Sequence, residues 1–409
     1  MENCKPLTEC LACGGTDLVL TLDLKDQPLA NNFKTPGSAE ERYPLAVNRC
    51  EDCDHLQLTH VVDPALIYTH YLYVSGTSRT YVEYMDWYAR FVHETYQTYA
   101  NDKLGPYYVL DIGCNDGSQL DAFKNIAWRT YGVDPAENLY NTSSSKHEVI
   151  CGFWDMNTAT KLPHKVDVIS SQNAFSHIPD PLSYLKLASA HLKDDGKIFI
   201  STSQADMVLN GEFDTIYHEH ISYYNAESMK ALAERAGLHL IDVVKTPIHG
   251  TSYVFVLSKR PHNHQRVENI LAMESKLHMG STYRDWAAGV NDLLVRLKEQ
   301  IEEYRGFGYS VVGYGAAAKG MTLINAADLN LDAVVDDNPL KQGLYCPGTD
   351  IPVVSNEYIM ELDEDLPVVF IPLAWNFYKE IKQRIVVLRS HPGDMFLRYF
   401  PTIKTENAS

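Results

Sequence analysis

The feature that most restricts the fold is a pattern met twice: a short apolar strand, a glycine-bearing turn, then a helix. It appears first at 107–111, with the turn Ile112-Gly113-Cys114-Asn115-Asp116-Gly117 and a helix from about Ser118. It returns at 309–312, with Gly313-Tyr314-Gly315-Ala316-Ala317-Ala318-Lys319-Gly320 and a helix to about Ala327. After the first turn, strands are expected at 130–133 (ending in Asp134), 149–151, 167–170 and 197–201. After the second they are expected at 333–335, ending in Asp336-Asp337, and at 368–371. Strands that alternate with helices imply mostly parallel, doubly wound sheets, so the fold class is α/β with two Rossmann-like parts. Residues 265–305 carry helical periodicity without a proline and read as a connection between them.

Ahead of this pattern stand two cysteine pairs, Cys10-Leu-Ala-Cys13 and Cys50-Glu-Asp-Cys53. Each pair can hold one edge of a tetrahedral zinc site. Four thiolates leave no open coordination position, so the expected zinc is structural. The surrounding segment has little helical periodicity and needs such a staple. Cys4, Cys114, Cys151 and Cys346 are read as unligated. The expected organisation is a zinc-binding domain over 1–66, a first Rossmann-like domain over 67–264, the helical connection over 265–305 and a second Rossmann-like domain over 306–409.

A formal net charge of -18 argues against nucleic acid and anionic membrane as partners. Neither a membrane-length apolar run nor a signal-peptide pattern is present in the sequence given, which makes the cytoplasm the expected location.

The 111–117 turn has the shape of an S-adenosylmethionine loop, in which Gly113 and Gly117 allow close backbone approach. Asp134, at the end of the next strand, is placed to accept hydrogen bonds from ribose hydroxyls, a feature shared with NAD-binding folds. Asp111, Gly113, Asn115, Gly117, Asp134 and Asn173 are the candidate cofactor contacts. The densest polar chemistry is Phe213-Asp214-Thr215-Ile216-Tyr217-His218-Glu219-His220, followed by Tyr223-Tyr224. There a histidine can act as base, a glutamate can orient it and a tyrosine can donate to an oxyanion. The His-x-His pair can also be read as half of a metal site. His177, beyond the fourth expected strand, is equally suited to a catalytic and a structural role.

Together with Pro28-Leu29-Ala30-Asn31, Ser75-Gly76-Thr77-Ser78, Lys341-Gln342-Gly343, Pro347-Gly348-Thr349-Asp350-Ile351-Pro352 and Trp375-Asn376-Phe377, these motifs resemble the zinc-containing sugar C-methyltransferases of nucleotide-deoxysugar pathways. The likeness spans almost the whole chain. It implies a zinc-binding unit, a central adenosylmethionine-binding fold and a C-terminal Rossmann-like domain that helps hold a nucleotide-sugar. It implies a catalytic group of Tyr217, Glu219 and His220 with His177, Tyr71 and Tyr73 as neighbours, the roles being exchangeable. It further implies substrate contacts at Ser75, Thr77, Tyr224, Lys319 and Asn376. The implied substrate is a dTDP- or GDP-linked 4-keto-6-deoxyhexose, methylated at its third carbon through an enolate, with the oligomeric state open between monomer and dimer. The chain departs from the family pattern at Ser201-Thr202-Ser203-Gln204 and at His249-Gly250-Thr251-Ser252-Tyr253. Three rivals stand beside this reading: a sugar O- or N-methyltransferase, a nucleotide-sugar binding protein or NAD oxidoreductase built on Gly313-Tyr314-Gly315 and Asp336, and a zinc scaffold that only binds partners.

Overall fold

The structure, a computed structural model, describes residues 3–69, 71, 73–77, 79–99, 104–203, 207–248, 251–262 and 265–408, with the side chains of Thr77 and Ser203 outside that description. Ser78, Gln204, His249 and Gly250, named above for the family pattern, also lie outside it. The chain forms two compact units. One comprises Met1–Val19, Asn48–Asp206 and Glu219–His278, the other Leu20–Val47, Met207–His218 and Met279–Ser409.

The first unit is built on a seven-stranded sheet in the order His239–Thr246, Ser252–Ser258, Leu192–Ser203, Val166–Gln172, Tyr108–Ile112, Arg129–Asp134, Glu148–Cys151. Pairing is parallel from Leu192–Ser203 to Glu148–Cys151. The strands His239–Thr246 and Ser252–Ser258 add antiparallel pairings at one edge. The central parallel strands bury residues on both faces, because helices cover both. Val109, Leu110, Val168, Ile169, Ile198 and Phe199 are fully buried, on alternating faces of the sheet. Strand order reverses between Tyr108–Ile112 and Val166–Gln172, and a sheet of this kind leaves a crevice beyond its strand ends at that point.

The second unit carries a six-stranded sheet in the order Val353–Val354, Ala333–Val335, Ser310–Tyr314, Val368–Pro372, Met395–Arg398, Lys404–Asn407. All its pairings are parallel except the last. Residues 20–47 pack with this unit through particular bonds. Lys34 and Tyr345 exchange backbone hydrogen bonds at 3.2 and 2.8 Å. The Gly348 amide donates to Glu40 at 2.7 Å, and Arg42 donates to the Gly348 carbonyl at 2.8 Å. The stretch after 264 resolves into a helix Gln265–Met273, a 3-10 turn Ser275–His278 and a long helix Gly280–Gly306.

Candidate functional site: a cofactor crevice, a ring stack and a cysteine cluster

The two cysteine pairs meet. Cys10, Cys13, Cys50 and Cys53 place their sulfurs within 4.8 Å of one another. The Cys10–Cys53 and Cys13–Cys50 pairs are 3.6 and 3.5 Å apart. Four sulfurs bound to one zinc at about 2.3 Å stand about 3.8 Å apart, so the group fits the ion with little movement. A hydrogen bond from Cys53 holds the Cys10 thiol down at about 4, whereas burial pushes Cys50 up to about 12. Zinc binds thiolates, so an ion held here would take the place of the thiol protons.

The cofactor loop lies at the crevice of the first sheet. Gly113 has φ of 83°, and a Cβ there would stand 2.5 Å from the Ala174 Cβ, so only glycine lets the two loops pass this closely. Asp111 is buried, its Oδ1 has no hydrogen-bond partner, and burial pushes its pKa up to about 7. A buried carboxyl with an open lone pair is suited to a cationic ligand. Asp134 accepts the amides of Asn115 and Ala136, both at 2.8 Å, while burial raises its pKa. Gly117, at φ of 85°, starts the helix Ser118–Asn125. Asn173 donates to the Tyr81 hydroxyl at 2.9 Å.

Beside this loop the structure gathers several aromatic and acidic side chains. Tyr68, His177 and His220 form a stack, with ring centres 5.3 and 5.2 Å apart and interplanar angles of 11° and 23°. The Tyr71 hydroxyl donates to Glu219 Oε2 at 2.8 Å, and the Tyr68 hydroxyl to the Glu219 carbonyl at 3.2 Å. His177 Nε2 is buried without a hydrogen-bond partner, and desolvation pushes the ring down to about 3, which keeps it neutral at ordinary pH. Glu219 and His220 are both buried. Tyr73 lies 6.4 Å from Tyr71, ring to ring, and is 45% exposed. The Ser75 amide donates to Asn115, and Ser75–Thr77 makes one 3-10 turn.

Two further sequence-predicted residues are Tyr217 and Tyr224. Tyr217 packs with the second unit, the chain passing from one unit to the other between His218 and Glu219. Tyr224 is fully buried, with Phe175 at 5.2 Å and His55 at 4.8 Å, ring centre to ring centre. Its ring packs in the core, and its buried hydroxyl has no hydrogen-bond partner. In the second unit Lys319 Nζ makes no hydrogen bond, lies 3.8 Å from Asp214 and sits 5.0 Å from the centre of the Trp375 ring. Asp214 is held by Trp375 and Tyr399, each at 2.7 Å, and Asn376 is exposed next to Trp375. His218 Nε2 donates to the Tyr43 carbonyl of its own unit at 3.2 Å, and its buried Nδ1 has no hydrogen-bond partner.

Residues 10–68 match a zinc-binding domain family, 81–243 a methyltransferase domain family and 247–401 the C-methyltransferase C-terminal domain family. Over 393 residues, 92% of each chain, the sequence is 30% identical to C-methyltransferase NovU of Streptomyces niveus. The chain belongs to the C-methyltransferase family. A ubiquinone biosynthesis O-methyltransferase of Coxiella burnetii is 26% identical over 168 residues, 37% of this chain and 72% of the relative. Magnesium protoporphyrin IX methyltransferase of Synechocystis PCC 6803, solved with bound SAM, covers 42% of this chain and 80% of its own, at 13% identity and a TM-score of 0.32. This C-methyltransferase uses S-adenosylmethionine, and its cysteine cluster is a structural zinc site.

Sequence reasoning missed Tyr68 and Asn138. Tyr68 ends the short helix Pro64–Tyr68 and reads as one more packed aromatic, and Asn138 reads as an ordinary residue of the helix Glu137–Ser144. Neither has a motif, because what marks them is contact with residues far along the chain.

Proposed function

We propose that this enzyme methylates the third carbon of a nucleotide-linked 4-keto-6-deoxyhexose by way of an enolate. The observation that carries the reading is the buried group of His220, Glu219 and His177 beside the cofactor loop. Methylation at oxygen or nitrogen needs no enolate, because those atoms already hold a lone pair. A carbon beside a ketone must first lose a proton.

His220 is assigned as the base that takes that proton. The C–H electrons move into the new double bond, and the carbonyl oxygen becomes an oxyanion. His177, neutral and with Nε2 unspent, is assigned to face that oxyanion in the tautomer that carries its proton on Nε2. The tautomer is set by what binds there. Glu219, fixed by the Tyr71 hydroxyl, supports the positive charge gained by His220. Asp111 and Asp134, with the turn at Gly113 and Gly117, are assigned to hold S-adenosylmethionine, which supplies an electrophilic methyl group. The zinc takes no part in the chemistry, since four thiolates leave it no open position.

In the second unit Lys319 offers donors without an acceptor, suited to a phosphate oxygen of dTDP or GDP. Among the described residues no helix is long and apolar enough to cross a membrane. The location we assign is the cytoplasm, where the thiols stay reduced.

The test is mass spectrometry of the enzyme with S-adenosylmethionine and a panel of dTDP- and GDP-4-keto-6-deoxyhexoses in heavy water. Gain of one methyl on carbon, with deuterium exchange beside the ketone, supports the reading and names the nucleotide. Methylation of a sugar lacking the ketone sinks it.

A further inference from the structure

The segment 69–77 carries Tyr71 and Tyr73, yet its regular structure among described residues is one 3-10 turn. A backbone without a ladder must place its polar groups elsewhere, and their destinations decide what orders it. Here they go to the two loops of the cofactor crevice. Asn138, just past Asp134, grips Tyr71 on both sides: its Oδ1 accepts the Tyr71 amide at 3.1 Å and its Nδ2 donates to the Tyr71 carbonyl at 2.9 Å. Next to it, the Glu137 amide donates to the Thr69 carbonyl at 3.1 Å.

Asn115, from the first cofactor loop, repeats the device further along. Its Nδ2 donates to the Tyr73 carbonyl and its Oδ1 accepts the Ser75 amide, both at 3.0 Å. The Gly76 amide then donates to Asp116 Oδ2 at 2.9 Å, and a Cβ on Gly76 would stand 2.6 Å from that same oxygen. A side chain there would have to displace the Asp116 carboxylate from this contact. Asn115 has φ of 51°, a conformation asparagine tolerates, and its own amide goes to Asp134. One residue thus joins the acid of the second cofactor loop to the strap.

We infer that Asn138 and Asn115 are positioning residues that make the order of the 69–77 strap depend on the cofactor loops, so that holding S-adenosylmethionine and aiming Tyr71 at Glu219 are linked events. The part of this that concerns Tyr71 and Glu219 rests on the function proposed above. A ligand that stiffens 113–117 and 134–136 stiffens what hangs from them, and linkage makes the effect reciprocal. Asn138 is exposed, so its removal empties no core, and Asn138→Ala is expected to fold.

The deciding experiment is amide hydrogen exchange on the full, zinc-loaded chain with and without S-adenosylmethionine. In the native chain the cofactor slows exchange of peptides covering both 113–117 and 69–77. In Asn138→Ala it still protects 113–117, while protection of 69–77 falls severalfold; Asn138→Asp, which keeps the acceptor for the Tyr71 amide, lies between. Turnover of Asn138→Ala falls about 10-fold or more, because a small misplacement of a catalytic group is costly, and cofactor affinity weakens a few-fold, as the reciprocal coupling requires. In a Tyr71→Phe background Asn138→Ala adds little, since the two act through one contact. The inference is overturned by a native strap indifferent to the cofactor, or by equal strap protection in Asn138→Ala. Failure of every 4-keto sugar to react would sink the proposed substrate alone, because strap exchange is read without sugar.

Discussion

The two Rossmann-like units solve one local problem identically and then diverge. In the first, Asp134 accepts the amides of Asn115 and Ala136 at 2.8 Å each. In the second, Asp336 accepts the amides of Ala316 and Asn338 at 2.6 and 2.8 Å. Each is an acid at the end of the second strand that pins the glycine turn and its own following residues. Beyond that the turns differ. The first loop spends Asn115 and Asp116 on a strap bearing two tyrosines. The second is closed locally: Lys341 donates to the Ala316 carbonyl at 2.7 Å, and Asp337 is occupied by Asn356 at 2.6 Å and by Arg384. Under the proposed function, the same fold serves as a reactive site in one unit and a polar cradle in the other. What decides is the set of side chains hung on the turn.

The largest expected effect separates the units by stability. Cys50→Ser removes one of four zinc ligands, so bound zinc, measured by atomic emission, should fall from one per chain toward none. Calorimetry should show loss of the transition belonging to the first unit. Retention of both zinc and that transition would show that the cluster is not the staple.

Next comes a kinetic contrast. His220→Asn should cut kcat about 10³-fold, within the range for removing a general base. Lys319→Met should instead raise KM for the nucleotide-sugar about 10-fold with a smaller change in kcat, as for a lost charge-assisted contact. Exchange of these two patterns would reverse the roles assigned to the units.

The matched acids allow a sharper cut. Asp134→Asn and Asp336→Asn each leave one buried amide poorly served, at a cost of about 1–3 kcal/mol in denaturant unfolding. Cofactor affinity, by titration calorimetry, should weaken only in Asp134→Asn. Equal weakening in both would erase the distinction between the turns.

The smallest effect is in pH. Burial lifts Asp111 to about 7, so its folded pKa lies above its unfolded one. The stability it contributes is present below the ordinary carboxylate range and is lost as pH rises toward about 7. The same loss of a proton creates the anion that a sulfonium prefers. Affinity for S-adenosylmethionine should therefore rise a few-fold from about pH 6 to about pH 8, and Asp111→Asn should flatten both profiles. A native profile as flat as the variant's would remove Asp111 from the cofactor site.

Much of this was legible in the chain itself, for local reasons. Glycines at 113 and 117 announce a turn that needs positive φ, and strands and helices in alternation announce a parallel sheet. Two CxxC pairs announce four thiolates, whatever the fold around them. The edge hairpin His239–Thr246 and Ser252–Ser258 escaped notice, because short apolar runs do not declare a partner.

Tertiary structure alone decided the rest. Tyr224 stands four residues after His220 and looks equally available in the sequence, yet packing places it in the core. Tyr68 and Asn138 look like filler, yet one completes the ring stack and the other holds Tyr71. The residues 20–47, bracketed by the cysteines, fold with the second unit because Lys34, Glu40 and Arg42 find their partners near Gly348. Periodicity and turn chemistry act over a few residues and are written in the sequence. Contacts across a hundred residues depend on which surfaces the folded chain brings together.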